Sequence, residues 1–396
     1  MHLGGVERSL ISLLESLPKG SVQVDLFLYD HSGDLLSQIP ADVNLLPPSA
    51  WYLALCLPLV RVLTSKQFSI GLSRLFAKAI RFMRGLLGLA PGFLLARSYR
   101  YAGVFLPKIP GEYDLAISFL KPHDFVISKV RARRKVGWVH TDYTALETGV
   151  VIGLEQEAWK KLDRVVAVSS EVGDHFGEVF PEISNRIIVI ENILNPGAIR
   201  QKALINKINL MEDAKKSGYF CLCTVGRFSY AKGIDLAAEA AAKLRNSGIK
   251  FRWYIIGYGD DLPIIQEKIN NLGISEEFIL LGANENPYPH MLACDLYVQP
   301  SRYEGKCVSI REAQILGKAV LVSRYPTVDT QVEHGADGWI VPAGVDGLVD
   351  GLQIVLQDAN LRERLAMCAA SRDYSNRQEI QKVLALLPDP IALVSI

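Results

Sequence analysis

The chain has 396 residues, of which 49% are hydrophobic and 21% charged, with a formal net charge of +1. That length predicts two domains of roughly 150–200 residues each, and near-neutrality gives no whole-molecule case for nucleic acid as a partner. The six cysteines (Cys56, Cys221, Cys223, Cys294, Cys307 and Cys368) are scattered, which excludes a disulfide framework and suits a reducing compartment.

The N-terminus, Met-His-Leu-Gly-Gly, has no basic region leading into an apolar stretch, so no signal peptide is expected. No uninterrupted apolar run of about 18 residues occurs, so a spanning helix is not expected and the chain reads as cytoplasmic. Apolar, β-rich runs predict strands at Val24–Tyr29 and Val43–Leu46. From Val43 to Gly111 there is no Asp or Glu, yet there are nine basic residues: Arg61, Lys66, Arg74, Lys78, Arg81, Arg84, Arg97, Arg100 and Lys108. Between them stand Trp51, Tyr52, Leu53, Leu55, Phe68, Leu75, Phe76, Phe82, Met83, Leu86, Leu87 and Leu94. Lys and Arg interleaved with Leu and Phe at helical spacing is how a helix lies on an anionic membrane. The alternative is a helical insertion, at about 50–110, packed on its own domain with its basic residues solvated.

Further strands are predicted at Asp114–Phe119, Lys135–Val139, Val165–Ser169 and Ile187–Ile190. Asn192–Gly218, with Asn195-Pro196-Gly197 and a polar run, reads as the interdomain linker. The second half is more regular. Its expected strands are Cys221–Val225, Phe251–Ile256, Phe278–Leu281, Leu296–Gln299, Ala319–Val322 and Trp339–Val341. Helix-like stretches lie between them at Ile234–Ser247, Leu262–Leu272, Cys307–Leu316 and Asp346–Asp358. Strands alternating with helices imply α/β architecture, here two doubly wound parallel sheets with a ligand cleft between their strands' carboxyl ends. The expected division is 1–195, 196–375 and a tail at 376–396.

Three segments of the second half converge on one chemistry. Thr224–Gly233 follows an apolar strand; Gly226 lets the backbone approach a ligand, and Arg227 with Lys232 puts two cations on a loop leading into a helix. That suits a diphosphate, against the alternative of a solvated loop. In Ser301–Ala313 a strand ends, a carboxylate follows and Gly305 opens a helix, whose free N–H groups suit an anion. Glu304 and Glu312 stand on this element with seven residues between them. Ionised carboxylates only accept hydrogen bonds, so their natural partners are sugar hydroxyls, not phosphates. Both could instead be helix-surface acids, which is less natural for Glu312 among Ile310, Ala313 and Ile315. The loop Leu281–Tyr288 could read a flat base edge through its backbone, a weak signal.

Together the Gly-Arg…Lys-Gly loop, the Glu-x7-Glu element and the opening Gly4-Gly5-Val6-Glu7-Arg8 resemble retaining glycosyltransferases of family 4, with the GT-B fold, of the bacterial surface-polysaccharide and lipopolysaccharide type. The resemblance is most specific over Thr224–Gly347. It implies that Arg227 and Lys232 grip a nucleotide-sugar's diphosphate, with N–H groups near Lys306, Cys307, Val308 and Ser309. It implies that Glu312 holds the ribose hydroxyls, that Glu304 holds those of the transferred sugar, and that Gly4 and Gly5 form a loop approaching the diphosphate. His140, at a strand end in Trp138–Asp142, matches the family's histidine beside the donor sugar. The chemistry implied is retention at the anomeric carbon, with the leaving nucleoside diphosphate stabilised by fixed cations and helix N–H groups. No Asp-x-Asp triplet occurs, so no metal or other cofactor is expected.

Two departures from the pattern stand out. Relatives have a strand before the Gly-Gly loop, which is expected to be missing here, and the tail from Leu386 does not supply their long closing helix. The resulting expectation is transfer of a sugar to a lipid-linked or glycan acceptor at the inner face of the cell membrane. The alternatives are a sugar-nucleotide epimerase or hydrolase of the same fold, or a truncated, non-catalytic nucleotide-binding chain.

Overall fold

The computed structural model describes residues 4–86, 100–141, 143, 155–205 and 208–389. Leu87, Leu94 and Arg97 of the basic insertion, Asp142, and the end of the tail from Pro390 lie outside the described residues, as does the side chain of Arg84. The chain divides into two compact units. One is Leu13–Glu191 with the segment from Gln378 onward; the other is Asn192–Arg377 with the N-terminal segment ending at Ser12.

In the first unit, strands β1 (Asp25–Leu26) and β2 (Asn44–Leu45) pair in parallel. Strands β3 (Tyr113–Ser118), β4 (Ala132–Val139), β5 (Arg164–Ala167) and β6 (Ile187–Val189) form a separate parallel sheet in that order. Side chains, not backbone hydrogen bonds, join β1 to the four-stranded sheet: Tyr113 donates to Asp25 Oδ2 at 2.9 Å, and Phe27 stacks on Phe125 at 5.0 Å. The insertion between β2 and β3 is helical, at Ala50–Cys56, Leu59–Leu63 and Phe68–Leu86. Its inner face buries Tyr52, Val62, Ile70 and Ala77. Arg74 is turned inward, donating to the carbonyls of Ala54 (2.9 Å) and Leu57 (2.6 Å), so it is neither solvated nor free for a surface.

The opposite face of the Phe68–Leu86 helix stays exposed among the described residues. Phe68, Leu72, Leu75, Phe76, Phe82 and Met83 are between 46% and 69% exposed. Their spacing of i, i+4, i+7, i+8, i+14 and i+15 places all six on one stripe, with Lys78 and Arg81 exposed on the same helix. No helix among the described residues is long and apolar enough to cross a membrane.

The second unit carries six parallel strands: β7 (Phe220–Val225), β8 (Phe251–Ile256), β9 (Phe278–Gly282), β10 (Leu296–Gln299), β11 (Val320–Ser323) and β12 (Trp339–Val341). They lie in the order β12-β11-β10-β7-β8-β9. Starting near the middle and winding outward both ways covers both faces with helices, which is why these strands read as unbroken apolar runs. One helix layer packs Ala237, Leu244, Leu348 and Leu352 on the sheet, and the other packs Met211, Met291 and Ile310.

The segment expected as a linker differs. Asn192–Gly218 holds helices at Pro196–Ala203 and Asn209–Lys216 that bury Ile199, Ala203, Met211 and Ala214. Asn195 accepts the N–H of Ala198 at 3.1 Å and Pro196 takes the first helical turn, so Asn-Pro-Gly starts a helix here instead of breaking one. The expected cut at 195/196 also meets a less simple chain, since residues up to Ser12 pack with the second half and those from Gln378 with the first. Of the tail, Glu379–Leu384 forms one short helix. Glu379 accepts the N–H of Glu191 at 3.1 Å, and Arg134 donates to the Leu386 carbonyl at 2.8 Å.

Candidate active site

At the carboxyl end of β7, Gly226 donates its N–H to Ile256 at 3.0 Å, and the chain climbs into a single turn of 3-10 helix, Tyr230–Lys232. Gly233 then starts the helix Ile234–Arg245 in the left-handed region, φ 63°. A β-carbon there would lie 2.1 Å from the Pro300 carbonyl oxygen, so only glycine lets this loop close on the end of β10. The neighbouring loop is tied to it by Arg302. Its N–H donates to Ala231 at 2.8 Å, and its guanidinium forks onto Asp235 at 2.7 and 2.6 Å.

That cross-tie brings Lys232 Nζ to 2.5 Å from Glu304 Oε1. Burial alone would lower the lysine's pKa, but Glu304 outweighs it and the net shift is upward, so Lys232 is a fixed cation. Glu304 Oε1 also accepts from Ser301 at 2.6 Å; Gln299 donates to Ser301, and Tyr297 to Gln299, both at 2.8 Å. These three stand at alternate positions from β10 into its loop, hence on one face, and form a buried relay that aims the carboxylate.

Gly305 and Lys306 lead to Cys307, which precedes the helix Val308–Ile315. Gln331 clamps this turn: its Oε1 accepts the Cys307 N–H at 2.7 Å and its Nε2 donates to the Cys307 carbonyl at 2.9 Å. The Cys307 N–H is therefore already used. Those of Val308 and Ser309 stand in the first helical turn, the Ser309 N–H against the Cys307 thiol. Burial, then Glu304, pushes the Cys307 thiol up to about 12, so it stands as a neutral thiol. Lys306 is buried.

Gly4 and Gly5 sit against these groups. A β-carbon on Gly4 would lie 3.4 Å from Arg227 Nη2, and one on Gly5 would lie 4.0 Å from Val308 Cγ2. Arg227 is exposed. Further along the helix Glu312 is only 2% exposed, so it is no surface acid. Its Oε1 accepts from Tyr288 at 2.7 Å and from Arg8 Nη1 at 3.4 Å. Thus Gly4, Gly5, Gly226, Arg227, Lys232, Glu304–Ser309 and Glu312 all belong to the second unit.

His140 belongs to the first unit, at the end of β4. Its Nε2 lies 2.9 Å from the Phe119 carbonyl oxygen and its ring packs on Phe119 at 4.7 Å. Burial lowers its pKa to about 4, against the raising effect of that carbonyl. A neutral imidazole that donates through Nε2 presents Nδ1 only as an acceptor.

The family model described as glycosyl transferases group 1 matches residues 207–372. Residues 207–372 thus resemble a group 1 glycosyl transferase domain. That span holds every second-unit site residue above except Gly4, Gly5 and Arg8. The chain is 30% identical over 149 residues to the alpha-D-kanosaminyltransferase of Streptomyces kanamyceticus, 37% of this chain and 39% of that protein. It is 29% identical over 149 residues to the N,N'-diacetylbacillosaminyl-diphospho-undecaprenol alpha-1,3-N-acetylgalactosaminyltransferase of Campylobacter jejuni, 37% of this chain and 38% of that protein. The chain thus spans about two fifths of the length of these curated relatives. Likeness of fold runs further than likeness of sequence. HepE of Anabaena, solved with UDP and glucose, superposes with TM-score 0.65 over 97% of this chain and 96% of its own at 16% identity. WaaG, a glycosyltransferase involved in lipopolysaccharide biosynthesis, does so with TM-score 0.64 over 98% and 97% at 14% identity. The two units make a GT-B fold.

Gln331, which shapes the candidate site, lay outside every segment singled out in the sequence, and Ser301 and Tyr288 stood at the ends of such segments without a role of their own. Arg8 stood inside a quoted motif without a role. A carboxylate among Ile310, Ala313 and Ile315 must be buried, and a buried carboxylate needs a partner; that requirement was the available clue.

Proposed function

We propose that the protein transfers a sugar from a nucleoside diphosphate donor to a lipid- or glycan-linked acceptor, with retention at the anomeric carbon. The observation that carries this reading is the convergence, within one unit, of the cations Arg227 and Lys232 on a helix start flanked by two carboxylates. Arg227, Lys232 and the N–H groups of Val308 and Ser309 take the diphosphate and stabilise its charge as it leaves. Glu304 accepts hydroxyls of the sugar and Glu312 those of the ribose. Gly4, Gly5, Gly226 and Gly305 keep backbone close to the ligand. With the diphosphate neutralised by side chains, turnover is independent of divalent metal.

The acceptor class is supported by relatives such as the Campylobacter enzyme, whose name specifies an undecaprenol-linked substrate. Placement at the cytoplasmic membrane surface is supported by the exposed apolar stripe of the Phe68–Leu86 helix in a stretch with no acidic residue. A thermal-shift panel of UDP, GDP, ADP and their common sugars, on wild type and Glu312→Ala, tests the donor reading. Ligand at 100 times its dissociation constant adds roughly 2.7 kcal/mol, a shift of a few degrees. One nucleotide family should stabilise the wild type and lose its effect in the variant. A folded wild type that responds to none of them overturns the reading.

A further inference from the structure

The first helix begins at Gly5, and its residues up to Ser12 pack with the second unit. Gly4 lies beside Arg227 and Gly5 beside Val308. One turn on, Arg8, anchored by its N–H on the Gly4 carbonyl at 3.1 Å, reaches three groups. Its Nη1 lies 3.4 Å from Glu312 Oε1, its Nη2 donates to the Glu285 carbonyl at 3.3 Å, and its guanidinium carbon lies 5.4 Å from the Tyr288 ring centroid. The side chain of Arg8 is 13% exposed and that of Glu312 2%. A carboxylate that far from water keeps its charge only beside a cation, and among its described contacts Arg8 is that cation.

We propose that Arg8 is the positioning residue of the nucleoside end of the donor site: it pairs with the Glu312 carboxylate and aims it, and pins the Glu285 loop beside it, without itself touching the diphosphate. Three observations carry this. Arg8 and Tyr288 both take the same oxygen, Oε1, which fixes the rotation of the carboxylate. The same guanidinium bridges from helix Val308–Ile315 to the loop after β9, two elements that are otherwise separate in sequence. Gly4 and Gly5, which lie beside Arg227 and Val308, stand a turn earlier. Arg8 therefore acts through Glu312, on the ribose.

This rests on the donor-binding reading above, and the test separates the two. Calorimetry would compare wild type, Arg8→Met and Arg8→Lys, each with the nucleoside diphosphate found to bind and with its 2'-deoxy analogue. Melting curves would accompany each variant to show that it is folded. For Arg8→Met the affinity for the ribonucleotide should fall on the order of tenfold, the scale of one charge-assisted hydrogen bond. Its affinity for the 2'-deoxy analogue should change far less, so that discrimination between the two shrinks. Arg8→Lys, which keeps the charge, should recover part of that discrimination. Equal losses for ribo and deoxy forms would mean that Arg8 works on the phosphates, and would overturn the proposal. So would a folded Arg8→Met with wild-type affinity and discrimination. A wild type that binds no nucleoside diphosphate removes the donor reading itself, a different failure.

Discussion

Lys232 Nζ and Glu304 Oε1, 72 residues apart in sequence, stand 2.5 Å from each other, and each is the other's counter-charge. Both side chains are largely shielded from water, at 21% and 10% exposure. The pair is therefore not a surface salt bridge of negligible worth. In the proposed donor complex a diphosphate at Lys232 would share the lysine with Glu304, whose carboxylate Ser301 holds in place.

Breaking the pair from one side is the more damaging change. Lys232→Met leaves a shielded carboxylate with Ser301 as its remaining described partner, and should cost about 3 kcal/mol of stability. It should also lower kcat/KM by about 10²–10³-fold. Glu304→Gln, which still accepts from Ser301, should lose rate with a smaller drop in melting temperature. Steady-state kinetics beside melting curves would decide; wild-type turnover in Lys232→Met would remove Lys232 from the mechanism.

Gly233→Ala tests the loop closure. The φ of 63° and the approach to the Pro300 carbonyl both reject a β-carbon, so destabilisation of about 2 kcal/mol or more is expected. Urea denaturation measures it. A midpoint equal to wild type would mean that the loop has an alternative path.

His140 should make the protein acid-sensitive in a defined window. The unfolded chain takes up this proton near the ordinary value of 6.5 and the folded chain only near about 4. Between those values the unfolded state binds more protons, so stability falls as pH falls, by at most about 3 kcal/mol. His140→Gln should remove that contribution. The stability difference between the two proteins would then change with pH from 6.5 downward and stay constant above 7. A constant difference down to pH 4.5 would show that the histidine is accessible to protons in the folded state.

The apolar stripe makes a prediction for membranes. Wild type should float with vesicles containing anionic lipid, less so at high salt, because basic residues near such a surface add about 1 kcal/mol each. The double variant Phe76→Ser with Phe82→Ser should bind at least tenfold more weakly, since each exposed phenyl offers roughly 1.5–3 kcal/mol on burial. Equal partition into neutral vesicles would eliminate the electrostatic part.

Much of the second unit was legible in advance because its strands are buried on both faces. Phe251–Ile256, Leu296–Gln299 and Trp339–Val341 coincide with the observed strands residue for residue, since such strands must be apolar throughout. The first unit was harder: β1 and β2 are two residues each, too short for a periodic signal. Asn192–Gly218 was misread because Asn, Pro and Gly serve equally to break a chain and to begin a helix; what decides is whether Ile199 and Met211 find a core. In the site, charges on strand exits were readable, as Arg227 and Lys232 were. The Gln331 clamp on Cys307 and the Arg8 contact with Glu312 join residues 24 and 304 positions apart, and no local pattern records such a meeting.

The path of the chain between its two units has a practical consequence. It passes from one to the other after Ser12, after Glu191 and after Arg377. A proteolytic nick at Glu191 would therefore leave two polypeptides, each with a terminal segment packed in the unit that the other mostly forms. Expressing residues 192–377 alone, the natural choice from sequence alignment, would yield a fragment in which Glu312 has lost its cation. Supplying a synthetic peptide of residues 1–16 to such a fragment would restore the missing charge in trans.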